Sequence, residues 1–254
     1  MSVTLQECRV TILVKALPQP SKTHGETVCC AGMTTQGEWK RLFPVRFRHL
    51  SGESSFSRWD WVKFRYTRPT KDNRAESCRV HEESLERDGK LSKSQHASFL
   101  NPHVLPSISE AIARKKSLAL IRPRNPRFYW KRKTAAELQA EKERFEKAAR
   151  QTSLFDKELA ALDPTPFEFR FKFEDDAPHD FGNGDWEAHA MFYHARKRGM
   201  SEQDALGWMD HRFNDEYPSK GMLFAVGNQA KRPHVWQLLG VLRIDEMTQT
   251  TLAL

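Results

Sequence analysis

The hydrophobic pattern of the first third of the chain predicts a series of strands. Residues 7–17 form a β-branched apolar run that ends before Pro18, as expected for a buried strand. Residues 26–33 predict a second strand, and a short turn leads into the alternating segment WKRLFPVRFR, 39–48. Pro44 interrupts that segment and has no N–H to donate, so we expect an edge strand or a bulge there.

The middle of the chain continues this pattern and then changes to a long charged helix. Further strands are predicted at 59–68, 76–85, 117–123 and 128–133, and a short helix at 107–116. A helix then begins at Thr134, which forms a capping box with Glu137, and runs to about residue 155.

The C-terminal hundred residues alternate strand, helix and strand. Phenylalanines at 167, 169, 171 and 173 fall on one face of a predicted strand, and residues 175–184 are predicted to form a loop. Asp185 is the expected N-cap of one helix, and Ser201 and Asp204 form the capping pair of the next. Two strands, 221–228 and 234–245, end the chain.

These elements predict an α+β fold. We expect a barrel-like curved β-sheet at the N-terminus, a charged linking helix, and a C-terminal mixed α/β unit. The predicted domains are a β-rich basic unit, 1–155, which ends in the charged helix, and a mixed α+β unit, 156–254.

Composition indicates a soluble globular protein. The chain has 254 residues, of which 39% are hydrophobic and 29% charged, with a formal net charge of +8. A basic balance favours polyanionic partners, nucleic acid first. No apolar window reaches the length of a membrane span, no signal peptide is recognised, and four scattered cysteines indicate reduced thiols in a cytoplasmic protein. The oligomeric state stays open.

An acid-free basic run from Arg114 to Lys133 is the strongest chemical signal. It contains nine Lys and Arg residues and the adjacent aromatics Phe128, Tyr129 and Trp130. Basic side chains neutralise phosphates and aromatic rings stack on bases, so the run predicts a nucleic-acid contact surface. The alternative is a solvated face with core aromatics.

The segment PQPSKTHGETVCC, 18–30, offers Ser21, His24, Glu26 and a cysteine as a nucleophile–base–acid group. The alternative is a strand–turn–strand whose cysteines fill the core, and this explanation is the simpler one. Arg41, Arg46 and Arg48 follow, and guanidinium groups can bind phosphate in a bidentate manner.

The motif GNGDWE, 182–187, is a third candidate. Asp185 and Glu187 could bind Mg²⁺ or act as acid and base. The alternative is that Asp185 caps a helix and Glu187 complements its dipole. No phosphate-binding Walker loop, dinucleotide-binding glycine motif or nucleophile elbow is present, which argues against the common enzymes built on those motifs.

The motifs PQPS, ETVCCAG, GEWKRLFPVRFR and DWE resemble those of a widespread uncharacterised prokaryotic family associated with mobile and defence loci. The chain departs from the family pattern at Phe43 and Cys78. The resemblance implies a nucleic-acid role by association. It directs attention to Ser21, Glu26, Arg41, Arg48, Glu76, Arg79, Asp185 and Glu187.

We therefore expect a nucleic-acid-binding protein that acts in defence against or control of foreign DNA, with DNA favoured over RNA and no membrane partner. The expected contact residues are Arg41, Arg46, Arg48, Arg122, Arg124, Arg127, Tyr129, Trp130, Lys131, Arg132 and Lys133. One alternative is a glycosylase or metal-dependent nuclease that uses Glu26, Asp185 and Glu187, with Mg²⁺ only in the nuclease. The other alternative is a protein-binding adaptor.

Overall fold

The computed structural model describes residues 4–17, 19–21, 25–46, 50, 52–151 and 163–246. Its strands are β1 (Gln6–Lys15), β2 (Gln19–Ser21), β3 (Gly25–Met33), β4 (Trp39–Val45), β5 (Asp60–Thr67), β6 (Ser77–Lys90), β7 (Val104–Leu105), β8 (Leu118–Ile121), β9 (Arg124–Arg132), β10 (Phe167–Glu174), β11 (Pro178–Gly182), β12 (Met222–Gln229) and β13 (Arg232–Arg243). Its α-helices are α1 (His96–Leu100), α2 (Ile108–Ala113), α3 (Ala135–Gln151), α4 (Trp186–Lys197), α5 (Glu202–His211) and α6 (Tyr217–Ser219). The fold is α+β, as the sequence predicts.

Five N-terminal strands close into a small barrel. β1 pairs antiparallel with both β3 and β5, β5 pairs antiparallel with β6, and β4 pairs antiparallel with β3 and parallel with β6. This ring, β1-β3-β4-β6-β5-β1, with its single parallel pair, has the topology of the five-stranded OB barrel. β2 extends the sheet beyond β3 as a short hairpin.

The barrel interior is filled by the alternate apolar residues of its strands. Val10, Ile12, Leu42, Val62 and Phe64 are among the buried side chains of this core. The strands predicted for this part of the chain are therefore confirmed, while the side chains that point inward are known only from the structure.

The prediction of an edge position for Pro44 is wrong, because β4 lies between β3 and β6. The ladder to β6 ends at Phe43, so the missing N–H of Pro44 falls beyond it. On the β3 side of β4, the register shifts between Val28 and Cys30. This shift is a β-bulge, which was the alternative that the sequence predicted for Pro44.

Two further sheets contain the remaining strands, in the orders β13-β12-β8-β7 and β11-β10-β9. β11 lies within the segment 175–184 that was predicted to be a loop, so that prediction is wrong. β11 is an edge strand with largely exposed or half-buried residues, and it has no apolar alternation by which to recognise it. β8 and β9 pair with β12 and β10, so residues 118–132 share sheets with the C-terminal strands and not with the barrel.

The core of the second half is a cluster of phenylalanines. Those at 167, 169, 171 and 173 are all buried on one face of β10, as the alternation predicts. Phe128 packs against Phe171 and Phe213 with ring centroids 5.3 and 4.9 Å apart. Helices α4 and α5 bury Ala188, Phe192 and other small or apolar residues against this cluster. No helix among the described residues is long and apolar enough to cross a bilayer.

Candidate nucleic-acid interface

Strand β9 divides the aromatics of the basic run between two faces. Phe128 is buried and Trp130 packs against the phenylalanine core, while Arg127, Tyr129 and Lys131 lie on the opposite face. Successive side chains of a strand point to opposite sides, so three adjacent aromatics cannot all be core residues. Tyr129 is the one that the fold leaves on the outer face.

The neighbouring strands complete this outer face. Tyr129 lies opposite Arg170 of β10, and Arg127 lies opposite Lys172. The Tyr129 hydroxyl donates to the Asp180 carboxylate at 2.8 Å and accepts from Arg170 Nε at 2.9 Å. Desolvation and the hydrogen bond to Asp180 raise the pKa of Tyr129, so its hydroxyl stays protonated.

Three cations lie around the tyrosine without forming a direct ion pair, and one of them, Lys172, lies opposite Asp180 of β11. Lys172 Nζ lies 5.5 Å and Lys131 Nζ 6.0 Å from the centre of the Tyr129 ring. Arg127, Lys131 and Lys172 form no ion pair with any described residue, whereas Arg170 is held between Glu168 and Asp180. We call Arg127, Tyr129, Lys131, Arg170 and Lys172 the outer-sheet patch.

Four other cations of the basic run are engaged within the protein. Arg122 forms a bidentate pair with Glu246 at 2.7 and 3.0 Å, and Arg124 donates to the Asp175 carbonyl. Arg132 pairs with Glu202, and Lys133 bonds Glu141 at 2.5 Å. These contacts favour a structural role for all four, although Arg122 and Arg132 remain partly exposed.

The arginines around β4 are spread over different environments. Arg41 is only 4% exposed, and its Nη2 donates to the Ser117 carbonyl at 2.5 Å. Arg46 pairs with Glu82 at 2.7 Å, Arg79 is exposed on β6, and Arg48 lies outside the described residues. The geometry of Arg41 contradicts the expectation that its guanidinium faces a phosphate, because the guanidinium donates its hydrogen bonds to Ser117 and Asn228 inside the protein.

Glu76 belongs to the same buried network as Arg41. Its carboxylate accepts from the Ser117 N–H at 3.0 Å and from the Ser117 hydroxyl at 3.1 Å. Arg74 in turn donates to the Asn228 carbonyl at 2.9 Å. The network joins β4 and the residues that precede β6 to Ser117, which precedes β8, and to β12, so it links the two halves of the chain.

Asp185 is a second buried residue that links distant parts of the chain, and its carboxylate is not accessible to solvent. It is 1% exposed, and Oδ1 accepts from Arg58 Nη2 at 2.6 Å and from the Glu187 N–H at 3.0 Å. Oδ2 accepts from the Val241 N–H at 2.9 Å. The helix-cap explanation is thus supported by geometry, and the metal-ligand or acid–base role has no free oxygen to use.

Glu187 and the other catalytic candidates do not form a common site among the described side chains. Lys15 pairs with Glu187 at 2.5 Å, and Arg58 and Lys15 lower the pKa of Glu187 against the desolvation that raises it. Ser21 and Glu26 belong to the β2–β3 hairpin, in which Pro20 lies opposite Glu26, but their side chains lie outside the described residues.

Asp175, Asp176 and His179 are grouped closely enough to hold a cation. The Asp175 carboxylate, however, already accepts from the Ile108 N–H at 2.9 Å, from the Asp176 N–H at 2.6 Å and from His179 Nε2 at 2.7 Å. These hydrogen bonds outweigh desolvation and lower its pKa to about 2. The arrangement closes a turn between β10 and β11.

The part of the outer-sheet patch that lies on β10 was not predicted from the sequence. The signal was present, since the alternation of PFEFRFKF that buries four phenylalanines also sets Arg170 and Lys172 on the opposite face. What the sequence does not give is the pairing of β9 with β10, which brings these cations beside Tyr129.

The fold and this patch define the class of the chain as an α+β protein with an OB-type barrel joined to a mixed α/β half. A model of the family described as domain of unknown function DUF8757 matches residues 105–253, so the chain belongs to that family. A model of domain of unknown function DUF8758 matches residues 6–105, which contain the barrel. No curated protein matches the chain. The two models meet at residue 105, whereas the sequence placed a boundary near residue 155.

Proposed function

We propose that the protein binds nucleic acid across the outer-sheet patch, with single strands preferred over duplex. The observation that carries this proposal is the placement of Arg127, Lys131 and Lys172 around Tyr129, with none of the three in an ion pair with a described residue. The neighbouring acids Glu168 and Asp180 are held by Arg170. Cations that follow the backbone beside an aromatic face for stacking are the usual parts of a single-strand site.

The barrel adds support at the level of fold analogy. OB barrels bind oligonucleotides through one sheet face and the adjoining loops. Here the segment between β1 and β3 contributes Leu17, whose N–H donates to the Gly184 carbonyl of the second half at 2.8 Å. Helix α3 follows directly after β9 and lies against β2 and β3, so it connects the sheet that carries the outer-sheet patch to the barrel.

The physiological target in this proposal is foreign DNA in the cytoplasm, with RNA as the second nucleic acid to test. The ground for foreign DNA is the resemblance of the chain's motifs to a family from mobile and defence loci. The ground for a reducing compartment is that all four cysteines are free thiols.

The test is the salt dependence of binding to a labelled single-stranded oligonucleotide, measured by fluorescence anisotropy. Each phosphate contact on a single strand contributes about 0.7 to the slope of log K against log salt, so replacing Arg127, Lys131 and Lys172 by Gln should reduce the slope by about 2. The matched control replaces the exposed residues Lys71, Lys197 and Lys231 by Gln, which removes the same charge elsewhere.

The control triple variant should keep the wild-type slope. Equal losses in the two triple variants would mean that net charge alone drives binding. A wild-type slope near zero would contradict the proposal altogether. Tighter binding to duplex than to single strands would reject the strand preference.

A further inference from the structure

A cavity of about 800 Å³ opens beside the outer-sheet patch. Its walls come from β9 and β10, from helix α3, from the β11–α4 connection and from β13, and Leu17 closes it towards the barrel. Small-molecule sites typically occupy about 300–1,000 Å³ between elements of this kind, so the size suits one ligand unit.

The charged groups of the cavity leave an excess of positive charge. The acids Glu141, Glu168 and Asp180 are already taken by Lys133 and Arg170. The remaining acid, Glu137, accepts from the N–H and hydroxyl of Thr134 as a helix cap.

Lys131 and Arg144 line the same cavity, are exposed, and form no ion pair with any residue in the described part of the chain. An anionic group at the mouth would therefore meet two cations that are not held in ion pairs. The neighbouring carboxylate, Glu168, lies opposite Lys131 but is bonded to Arg170.

Deeper in the wall, two donors lack an acceptor. Asn183 Nδ2 and Trp236 Nε1 are buried, and neither finds a hydrogen-bond partner within the described structure. Asn183 is 6% exposed and Trp236 8%, and both residues line the cavity. A buried donor without a partner is unfavourable, so an acceptor brought in by a ligand would relieve this cost.

The same wall carries aromatic surface from Phe181 and Trp236. A ligand that matches these walls has hydrogen-bond acceptors, a flat ring and a nearby anionic group. A nucleotide has all three, because its base edge carries carbonyl and ring-nitrogen acceptors. His189 also lines the cavity, but its ring nitrogens lie 3.0 Å from Thr165 Oγ1 and 3.3 Å from the Asn183 carbonyl, so it is committed to the wall.

We propose that this cavity holds one nucleotide of the bound strand, with its phosphate at Lys131 and Arg144 and its base at Asn183 and Trp236. The proposal rests on the proposed function and adds a site for a single unstacked base. Unpaired bases are accessible in single strands, which is the form that the outer-sheet patch favours.

The experiment is isothermal titration of the full chain with the four deoxynucleoside monophosphates, with inorganic phosphate and deoxyribose 5-phosphate as probes of the anion alone. A well-fitted ligand of this size reaches a Kd on the order of 10 μM. We expect at least one nucleotide to bind in this range and the two base-free probes to bind at least tenfold more weakly.

Two variants locate the site. Trp236→Phe removes the indole N–H and keeps an aromatic ring, and should weaken nucleotide binding about fivefold, the value of one hydrogen bond. Gly182→Phe places a ring on the cavity wall, where a Cβ would have only ordinary contacts at 3.4 Å to Glu168 Oε1 and 3.8 Å to Arg170 Nη1. It should abolish nucleotide binding, while Gly207→Phe, in open space on α5, should leave it unchanged.

Absence of nucleotide binding at 1 mM would overturn the inference, as would equal binding of the base-free probes or wild-type affinity in Gly182→Phe. Circular dichroism verifies that each variant is folded. If nucleotides fail to bind but the protein still binds an oligonucleotide in a salt-dependent manner, the cavity site is rejected and the outer-sheet patch is retained. If the wild-type protein binds single nucleotides but no oligonucleotide, the outer-sheet patch is rejected and the cavity is retained.

Discussion

The buried pair of Arg58 and Asp185 gives a prediction that separates a structural carboxylate from a catalytic one. In Asp185→Ala the guanidinium of Arg58, whose side chain is 12% exposed, loses its charge partner at 2.6 Å. The N–H groups of Glu187 and Val241 lose their acceptors in the same step. Removing one member of a buried ion pair costs about 3–5 kcal/mol, because the remaining charge stays buried without compensation.

We therefore expect Asp185→Ala to lower the free energy of unfolding by about 4 kcal/mol, a large part of the 5–15 kcal/mol typical of a folded protein. For a chain of this size the melting temperature should fall by about 8–16 °C. The assay is urea unfolding followed by tryptophan fluorescence, with thermal unfolding by circular dichroism as a second probe.

A double-mutant cycle with Arg58→Met completes the test. The double variant should lose less than the sum of the single variants, with a coupling energy of at least about 1 kcal/mol, because the two side chains meet directly. If Asp185→Ala changes stability by less than about 0.5 kcal/mol, as a typical surface substitution does, the structural assignment fails and the catalytic one regains weight.

Three further predictions concern other described contacts. Burial lowers the pKa of His189 to about 4, below its unfolded value of about 6.5, so the unfolded state binds the proton first and stability falls as pH drops from 6.5 towards 4. Between pH 6.5 and 5 wild type should lose about 1.5 kcal/mol relative to His189→Gln in urea titrations, and parallel profiles would contradict this. Asn214→Ala leaves the Phe128 N–H and carbonyl without their side-chain partners at 2.7 and 3.2 Å, and should cost about 2 kcal/mol of unfolding free energy by the same method. Thr134→Ala removes the cap of α3 and should cost about 1 kcal/mol; an unchanged urea midpoint would show that the capping box contributes nothing.

Local pattern was enough to predict most strands, both caps at Asp185 and Ser201, and the inward face of β10. It failed at β11, where an edge strand of exposed residues has no apolar alternation. The cap at Asp185 was foreseen as an alternative, but its partner Arg58 lies 127 residues earlier in the chain. Only the fold can bring such residues together.

In the candidate site, too, local features could be predicted from the sequence and long-range contacts could not. The basic run and its central tyrosine could be recognised from composition, because an acid-free stretch with three aromatics is visible in sequence. Which cations stay free could not be predicted, since the carboxylates that neutralise Arg122 and Arg132 come from residues 246 and 202. Barrel closure between β1 and β3 likewise depends on pairings that the strand patterns leave open.

The most direct test of the central claim is photochemical cross-linking of a single-stranded oligonucleotide containing 5-iodouracil, followed by mass spectrometry of the tryptic peptides. If bases stack at the outer-sheet patch, the main adduct lies on Tyr129 and disappears in Tyr129→Leu, whose overall binding is weakened by about 1–3 kcal/mol. Adducts confined to peptides outside β9, β10 and the neighbouring cavity, in a protein that still binds the oligonucleotide, would contradict the account.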